Sequence, residues 1–93
     1  MSNSNETSID NTLDEREKLY GTFRSQAMMA QALKDTMRLS DSWRAMTPAK
    51  KEALDMIQHK VARILNSESA SDYIDNWHDV AGYATLVERE LIK

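Results

Sequence analysis

Several residue types that would define a functional class are scarce or missing in this chain. Its 93 residues include no cysteine, one proline and two glycines. The lack of cysteine excludes a disulfide framework, a zinc site built on thiolates and a cysteine nucleophile. So few turn-forming residues also exclude a β-rich domain of this length, which would need many more turns. We therefore predict an all-α fold, a small bundle of three to four helices.

The charge balance and the short apolar runs narrow the range of partners. A net charge of −3 with a pI near 5.3 gives no basic surface for general nucleic-acid binding, so no direct DNA binding is expected. No apolar run approaches the roughly 18–20 residues that span a bilayer, and the polar N-terminus lacks the apolar segment of a signal peptide. We expect a cytoplasmic protein that does not enter membranes.

Capping signals divide the chain into a tail and one domain. Residues 1–9, rich in serine and asparagine, predict a mobile N-terminal tail, and residues 10–93 a single helical domain. Four helices are predicted within that domain, at about 10–20, 23–39, 48–65 and 71–92. Gly21 ends the first, Thr22 caps the second, Thr47 and Pro48 begin the third, and Ser69 or Ser71 caps the fourth.

The predicted fourth helix carries acids on one face. At about 100° per residue, one side gathers Asp72, Asp75, Asp79, Tyr83 and Glu90. The other side gathers the apolar residues expected to pack: Tyr73, Trp77, Val80, Ala81, Ala84, Val87 and Leu91. Helical bundles present oxygen ligands to divalent cations on such rows of carboxylates, so Asp75 and Asp79 are candidate metal ligands.

The predicted third helix offers a second pair of acids, Glu52 and Asp55. If the two helices face each other, these four carboxylates provide a candidate Mg²⁺ site. The alternative is structural. Acids near a helix start stabilise the helix dipole, and Asp75 and Asp79 can instead tie helices together by pairing with Lys60 or Arg63.

Four further residues are candidates for binding a nucleotide. Lys60 and Arg63 suit phosphates, whereas Trp77 and Tyr83 suit a base. Each also has an ordinary structural interpretation, as an ion pair or as part of the core. His59 and His78 are weaker candidates for a ligand or general base, because a lone histidine on a charged helix is more often a surface residue.

Two motifs resemble a known group of proteins. Tyr20-Gly21-x-Phe23 and Asp75-x-Trp77-x-Asp79-Val80-x-Gly82-Tyr83-Ala84 resemble elements of small phage and prophage proteins of largely unknown function, over about residues 15–91. Those proteins look distantly similar to nucleotide-modification-associated domains and to MazG-like all-α pyrophosphohydrolases. The resemblance implies a helical bundle, a homodimer or higher homo-oligomer, and a location in the cytoplasm of an infected bacterial host.

Two functions of different class follow. The first is a small phage-encoded, non-catalytic interaction protein that binds a host defence factor or sequesters a nucleotide signal. The alternative is a Mg²⁺-dependent nucleoside triphosphate pyrophosphohydrolase of the MazG-like type. In either case we expect association of copies, because four helices of this length cover too little apolar surface, and Ala81, Gly82 and Ala84 permit close helix contact.

Overall fold

The computed structural model describes residues 4–92 of the chain, with side chains from residue 9 onward. Within this range the chain forms six helices and no strand, which confirms the all-α prediction. The helices are α1 (Ser4–Tyr20), α2 (Phe23–Arg38), α3 (Asp41–Ala45), α4 (Pro48–Asn66), α5 (Glu68–Ser71) and α6 (Ile74–Leu91).

Local signals place most of these ends where the sequence predicts them. Thr22 caps α2 by accepting a hydrogen bond from the Ser25 amide at 3.2 Å, and Thr47 caps α4 ahead of Pro48. α1 begins at Ser4 rather than near Asp10. The part of the predicted tail before Ser4 lies outside the described residues, and the mobility of residues 1–9 stays a prediction.

The junction before α6 differs from the prediction. Ser67 caps an additional short helix, α5, by accepting from the Ala70 amide at 3.1 Å. Ser69 and Ser71, the expected caps of the last helix, therefore lie inside α5. The residue before α6 is Tyr73, which makes no side-chain capping bond. The serine hydroxyl of Ser67 therefore begins a separate turn of helix ahead of α6 rather than α6 itself.

The core is centred on α4, which packs between α2 and α6, while α1 and α5 meet at one end. Among the described residues, the buried positions are five apolar residues, of which four are alanines (Ala30, Ala53, Ala62 and Ala70, with Trp43), and two amides (Gln26 and Asn76). Burial of Trp43 agrees with the expectation that it folds back onto the core. Many larger apolar side chains stay exposed, among them Phe23 at 79% and Leu39 at 81%.

The orientation of α6 corrects the sequence prediction. The side that packs on the protein carries Asn76, Asp79, Val80, Tyr83 and Val87, all buried or partly buried. Trp77, predicted to face the core, is 54% exposed, and Ala81, Ala84 and Leu91 are exposed with it. The helix is rotated from the expected orientation because polar side chains from α6 satisfy partners inside the protein.

The molecule is elongated, measuring 56 × 27 × 26 Å. Its radius of gyration is 16.3 Å. A compact chain of this length has a radius of gyration of about 12 Å. Among the described residues, none of the helices has the length and apolar character needed to cross a membrane.

Candidate functional site

The acid at the centre of the predicted metal site, Asp79, is held by a lysine. The Lys60 ammonium of α4 lies 3.0 Å from Asp79 Oδ2 of α6. The lysine side chain is only 12% exposed, whereas that of Asp79 is 42% exposed. This ion pair connects the two helices that share the largest interface in the protein. Its charge is therefore compensated within the chain, which agrees with the structural alternative for Asp79.

The two acids of α4 point to different neighbours although they lie one turn apart. Asp55 accepts a hydrogen bond from the Arg38 guanidinium of α2 at 3.3 Å. The same guanidinium lies 5.9 Å from the centre of the Trp43 ring. Glu52 instead lines a cavity of about 530 Å³ between the start of α4 and the end of α6, together with Tyr83, Leu86, Val87 and Glu90.

Asp75, the remaining candidate ligand, lies in the first turn of α6 and is exposed. The hydroxyl of Tyr73 donates a hydrogen bond to its carboxylate, and this bond together with the nearby charge raises the pKa of Tyr73. An acid in this position also stabilises the N-terminal end of the helix. Asp75 therefore has a local role that requires no metal.

The four acids do not form a common cluster in the described part of the chain. There, no group of three or more histidine, aspartate or glutamate side chains is arranged to hold a metal ion. Asp79 pairs with Lys60, Asp55 with Arg38, and Glu52 faces the cavity. Their assignment as Mg²⁺ ligands stays a prediction.

Positive charge gathers around His59 on α4. Burial lowers the pKa of His59, and the neighbouring charges of Arg63, Lys34 and Lys60 lower it further. Arg63 stacks on Tyr20, with 4.8 Å between the guanidinium carbon and the ring centre, and its buried Nε has no hydrogen-bond partner. Tyr20 in turn meets Tyr73 edge to face at 6.2 Å. Arg63 thus joins α4 to the end of α1.

The predicted nucleotide-binding residues are dispersed. Lys60 forms an ion pair with Asp79, and Arg63 stacks on the ring of Tyr20. Trp77 is exposed on the outer side of α6, where its indole N–H donates to the Ser71 carbonyl at 2.8 Å. Tyr83 lines the cavity with Glu52. The structure therefore brings Tyr83 near Glu52 and Asp79 near Lys60, but it does not bring the four residues to one surface.

Two asparagines that the sequence analysis overlooked hold the fold together. Asn66 Nδ2 donates to the carbonyls of Tyr20 at 2.6 Å and Thr22 at 3.0 Å, across the turn between α1 and α2. Asn76, 1% exposed, donates to the Ala70 carbonyl at 3.2 Å. A signal for Asn76 was present, because it begins the helical stripe that continues with Val80, Tyr83 and Val87.

These features define a small all-α protein whose candidate acids are mostly engaged within the chain. The chain belongs to the family described as a domain of unknown function, DUF6378, whose model matches residues 6–90. No curated protein matches the chain, and no solved structure does.

Proposed function

We propose that this chain is a small phage-encoded, non-catalytic interaction protein that binds a host defence factor or sequesters a nucleotide signal. The observation that carries the proposal is the ion pair between Lys60 and Asp79. A metal ligand must offer its carboxylate to the ion, whereas this carboxylate neutralises a largely buried lysine. The phage setting rests on the resemblance of the two sequence motifs.

Of the two partners, a host protein suits the structure better than a nucleotide. Lys60 and Trp77 direct their polar groups at partners within the chain, and the Arg63 guanidinium stacks on Tyr20. In contrast, α2 and its C-terminal capping residue Leu39 leave three apolar residues exposed on one side: Met28 at 69%, Leu39 at 81%, and Ala32. We call these three residues the α2 surface. Exposed apolar side chains on a shared side mark sites of protein association.

The test of this proposal compares two charged substitutions. Leu39→Asp places a carboxylate on the α2 surface, and Leu65→Asp does the same at a 62% exposed leucine of α4. Purified tagged proteins are mixed with lysate of a host strain carrying defence systems, and each bound protein is quantified. We expect a partner that is retained by wild type and Leu65→Asp but lost with Leu39→Asp. Equal recovery with all three proteins contradicts a role for the α2 surface.

The Mg²⁺-dependent pyrophosphohydrolase is tested in parallel. Thermal unfolding is measured with nucleoside triphosphates and cyclic dinucleotides, with and without Mg²⁺, because a ligand bound to the folded state raises the melting temperature. If the chain is a non-catalytic interaction protein, we expect no Mg²⁺-dependent rise in the melting temperature and no release of pyrophosphate. A Mg²⁺-dependent rise with pyrophosphate release, both abolished by Asp79→Asn, overturns the proposal in favour of the enzyme. A metal-independent rise with one signalling nucleotide supports sequestration instead of a host protein.

A further inference from the structure

Arg63 is a partly buried arginine whose charge has no counter-charge in the described part of the chain. Its Nε is buried without a hydrogen-bond partner, and its guanidinium makes no ion pair with a described residue. Arg38 and Arg44 are more exposed, yet each of them pairs with an aspartate. Burying a charged group without a partner is costly, so such a group usually has a counter-ion. Arg63 therefore indicates a place for an anion that these residues do not supply.

A cavity of about 250 Å³ lies beside Arg63, between α1 and α4. It is lined by Thr12, Glu15, Arg16, Leu19 and Tyr20 of α1 and by Arg63 of α4, and we call it the Arg63 cavity. Arg16 is exposed and, like Arg63, forms no ion pair within the part of the chain that the structure describes. Two guanidinium groups from different helices thus line the same space. Guanidinium groups bind phosphate and carboxylate oxygens through pairs of N–H donors, so the Arg63 cavity suits an oxyanion.

Contacts within the chain orient the Arg63 guanidinium in advance. Its central carbon lies 4.8 Å from the centre of the Tyr20 ring, and Tyr20 in turn meets Tyr73 edge to face. Asn66, close to Arg63 on α4, donates to the Tyr20 carbonyl at 2.6 Å and ties the end of α1 to the end of α4. A guanidinium that stacks on a ring can still donate hydrogen bonds in its own plane. The main donor of the cavity is therefore held in place, which lowers the cost of ordering it when a ligand binds.

The two arginines favour a phosphate group over a carboxylate. A carboxylate has two oxygens, which the fork of one guanidinium can engage fully. A phosphate monoester has three acceptor oxygens and carries about −1.5 to −2 charge at pH 7, so it can bind two arginines on different helices. Glu15, the acid that lines the cavity, is exposed and contacts neither guanidinium. Trp77 and Tyr83, predicted to hold a base, lie elsewhere, so the cavity suits the phosphate group itself.

We infer that the Arg63 cavity binds the phosphate group of a small molecule, either inorganic phosphate or a small phosphate ester, between the guanidinium groups of Arg63 and Arg16. The sequence analysis grouped Arg63 with Lys60. Arg16 takes that place, because Lys60 is held by Asp79. The inference does not rest on the proposed binding of a host protein, which is assigned to the α2 surface on a different helix.

Titration calorimetry with inorganic phosphate at constant ionic strength tests the site. Arg63→Gln and Arg16→Gln each remove one guanidinium, whereas Arg89→Gln removes the same charge at an exposed arginine of α6 outside the Arg63 cavity. We expect saturable binding by wild type and Arg89→Gln, weakened about tenfold or more by Arg63→Gln and less strongly by Arg16→Gln. Because Arg16 is exposed, its variant should fold and tests the site even if Arg63→Gln does not. No binding by wild type, or equal affinity of Arg16→Gln and Arg89→Gln, overturns the inference.

The same titration with three further compounds identifies the chemical group and its source. Acetate offers a carboxylate, adenosine monophosphate offers a phosphate ester, and adenosine offers the same nucleoside without phosphate. We expect adenosine monophosphate to bind at least as tightly as inorganic phosphate, and acetate and adenosine to bind much more weakly. Tighter binding of adenosine monophosphate assigns the cavity to an ester, and equal binding assigns it to the phosphate group alone. Acetate or adenosine binding as tightly as inorganic phosphate overturns the inference.

Glu15 is the necessary control, because its carboxylate could act as the counter-ion of Arg63 if its side chain turned inward. Glu15→Gln is compared in phosphate-free buffer with Glu17→Gln, which changes an exposed acid of α1 outside the Arg63 cavity. We expect equal melting temperatures for the two variants, since neither carboxylate pairs with Arg63. A melting temperature of Glu15→Gln clearly below that of Glu17→Gln identifies Glu15 as the counter-ion and overturns the inference.

Discussion

Gly21 and Asn66 show how single residues join distant parts of this chain. Gly21 has φ of 81°, a left-handed conformation, and it lets the chain turn from α1 into α2. Asn66, at the end of α4, donates to the carbonyls on either side of that turn. Ser67 adds a hydrogen bond from its hydroxyl to the Leu19 carbonyl. The turn is therefore fixed by a contact between residues far apart in sequence.

Replacing Gly21 by alanine should destabilise the protein. A Cβ at this position would lie 2.6 Å from Asn66 Nδ2 and 2.7 Å from the Asn66 carbonyl oxygen. The left-handed backbone and the overpacking together should cost roughly 2–4 kcal/mol in unfolding free energy. Urea denaturation of Gly21→Ala measures this loss. Gly82→Ala is the matched control, since open space surrounds its Cβ and monomer stability should rise by about 1 kcal/mol.

Stability should fall in mild acid because of His59. Burial and the positive charges of Arg63, Lys34 and Lys60 lower the pKa of His59 in the folded state. The unfolded chain, with an ordinary histidine pKa near 6.5, therefore binds the proton more readily. The contribution of neutral His59 is complete above about pH 6.5 and is lost as the pH falls towards and through the lowered folded pKa.

Thermal unfolding between about pH 8 and pH 5 measures this effect. We expect the melting temperature of wild type to drop more steeply across that window than the melting temperature of His59→Gln. His78→Gln, which changes an exposed histidine of α6, should follow wild type. If the melting temperatures of wild type and His59→Gln fell in parallel with pH, this would contradict the claim that the folded protein disfavours the protonated His59 ring.

At the scale of elements, capping and breaking signals predicted most helix ends, but side-chain periodicity did not predict which face packs. Thr22, Thr47 and Pro48 act within one turn, so their roles can be derived from the sequence alone. The orientation of α6 depends on Lys60 and Asn76 finding partners across the protein. Those distant partners gave no local signal. Of the residues predicted to form the buried face, Val80 and Val87 are partly buried, whereas Trp77, Ala81, Ala84 and Leu91 are exposed.

The cap of α4 should contribute measurably to the stability of the protein, because α4 packs against both α2 and α6. Thr47→Ala removes the hydroxyl that accepts from the Lys50 amide and should lower the unfolding free energy by about 1 kcal/mol. Thr85→Ala is the control, since that threonine is exposed in the middle of α6 and its hydroxyl donates to the Ala81 carbonyl. Chemical denaturation showing equal effects for both would contradict a capping role for Thr47.

At the scale of the whole molecule, an elongated shape and a core of small residues go together. The length of the sequence predicted that one copy would bury too little apolar surface, and the exposed leucines, isoleucines and tryptophan agree with that argument. The candidate site was predicted only in part. The residues Asp79 and Lys60 were named from the sequence, and their contact was one of two alternatives that only the folded chain could separate.

The most direct test of a structural role for Asp79 is a double-mutant cycle with Lys60→Met and Asp79→Asn, measured by urea unfolding with and without Mg²⁺. Asp79→Asn leaves a largely buried ammonium unpaired, and because Asp79 is itself partly exposed we expect a loss of about 1–2 kcal/mol. Most of that loss should disappear when Lys60 is already methionine, and Mg²⁺ should not alter the stability of any variant. Additive effects of the two substitutions, with Mg²⁺ stabilising wild type but not Asp79→Asn, would contradict the structural role and favour a metal site.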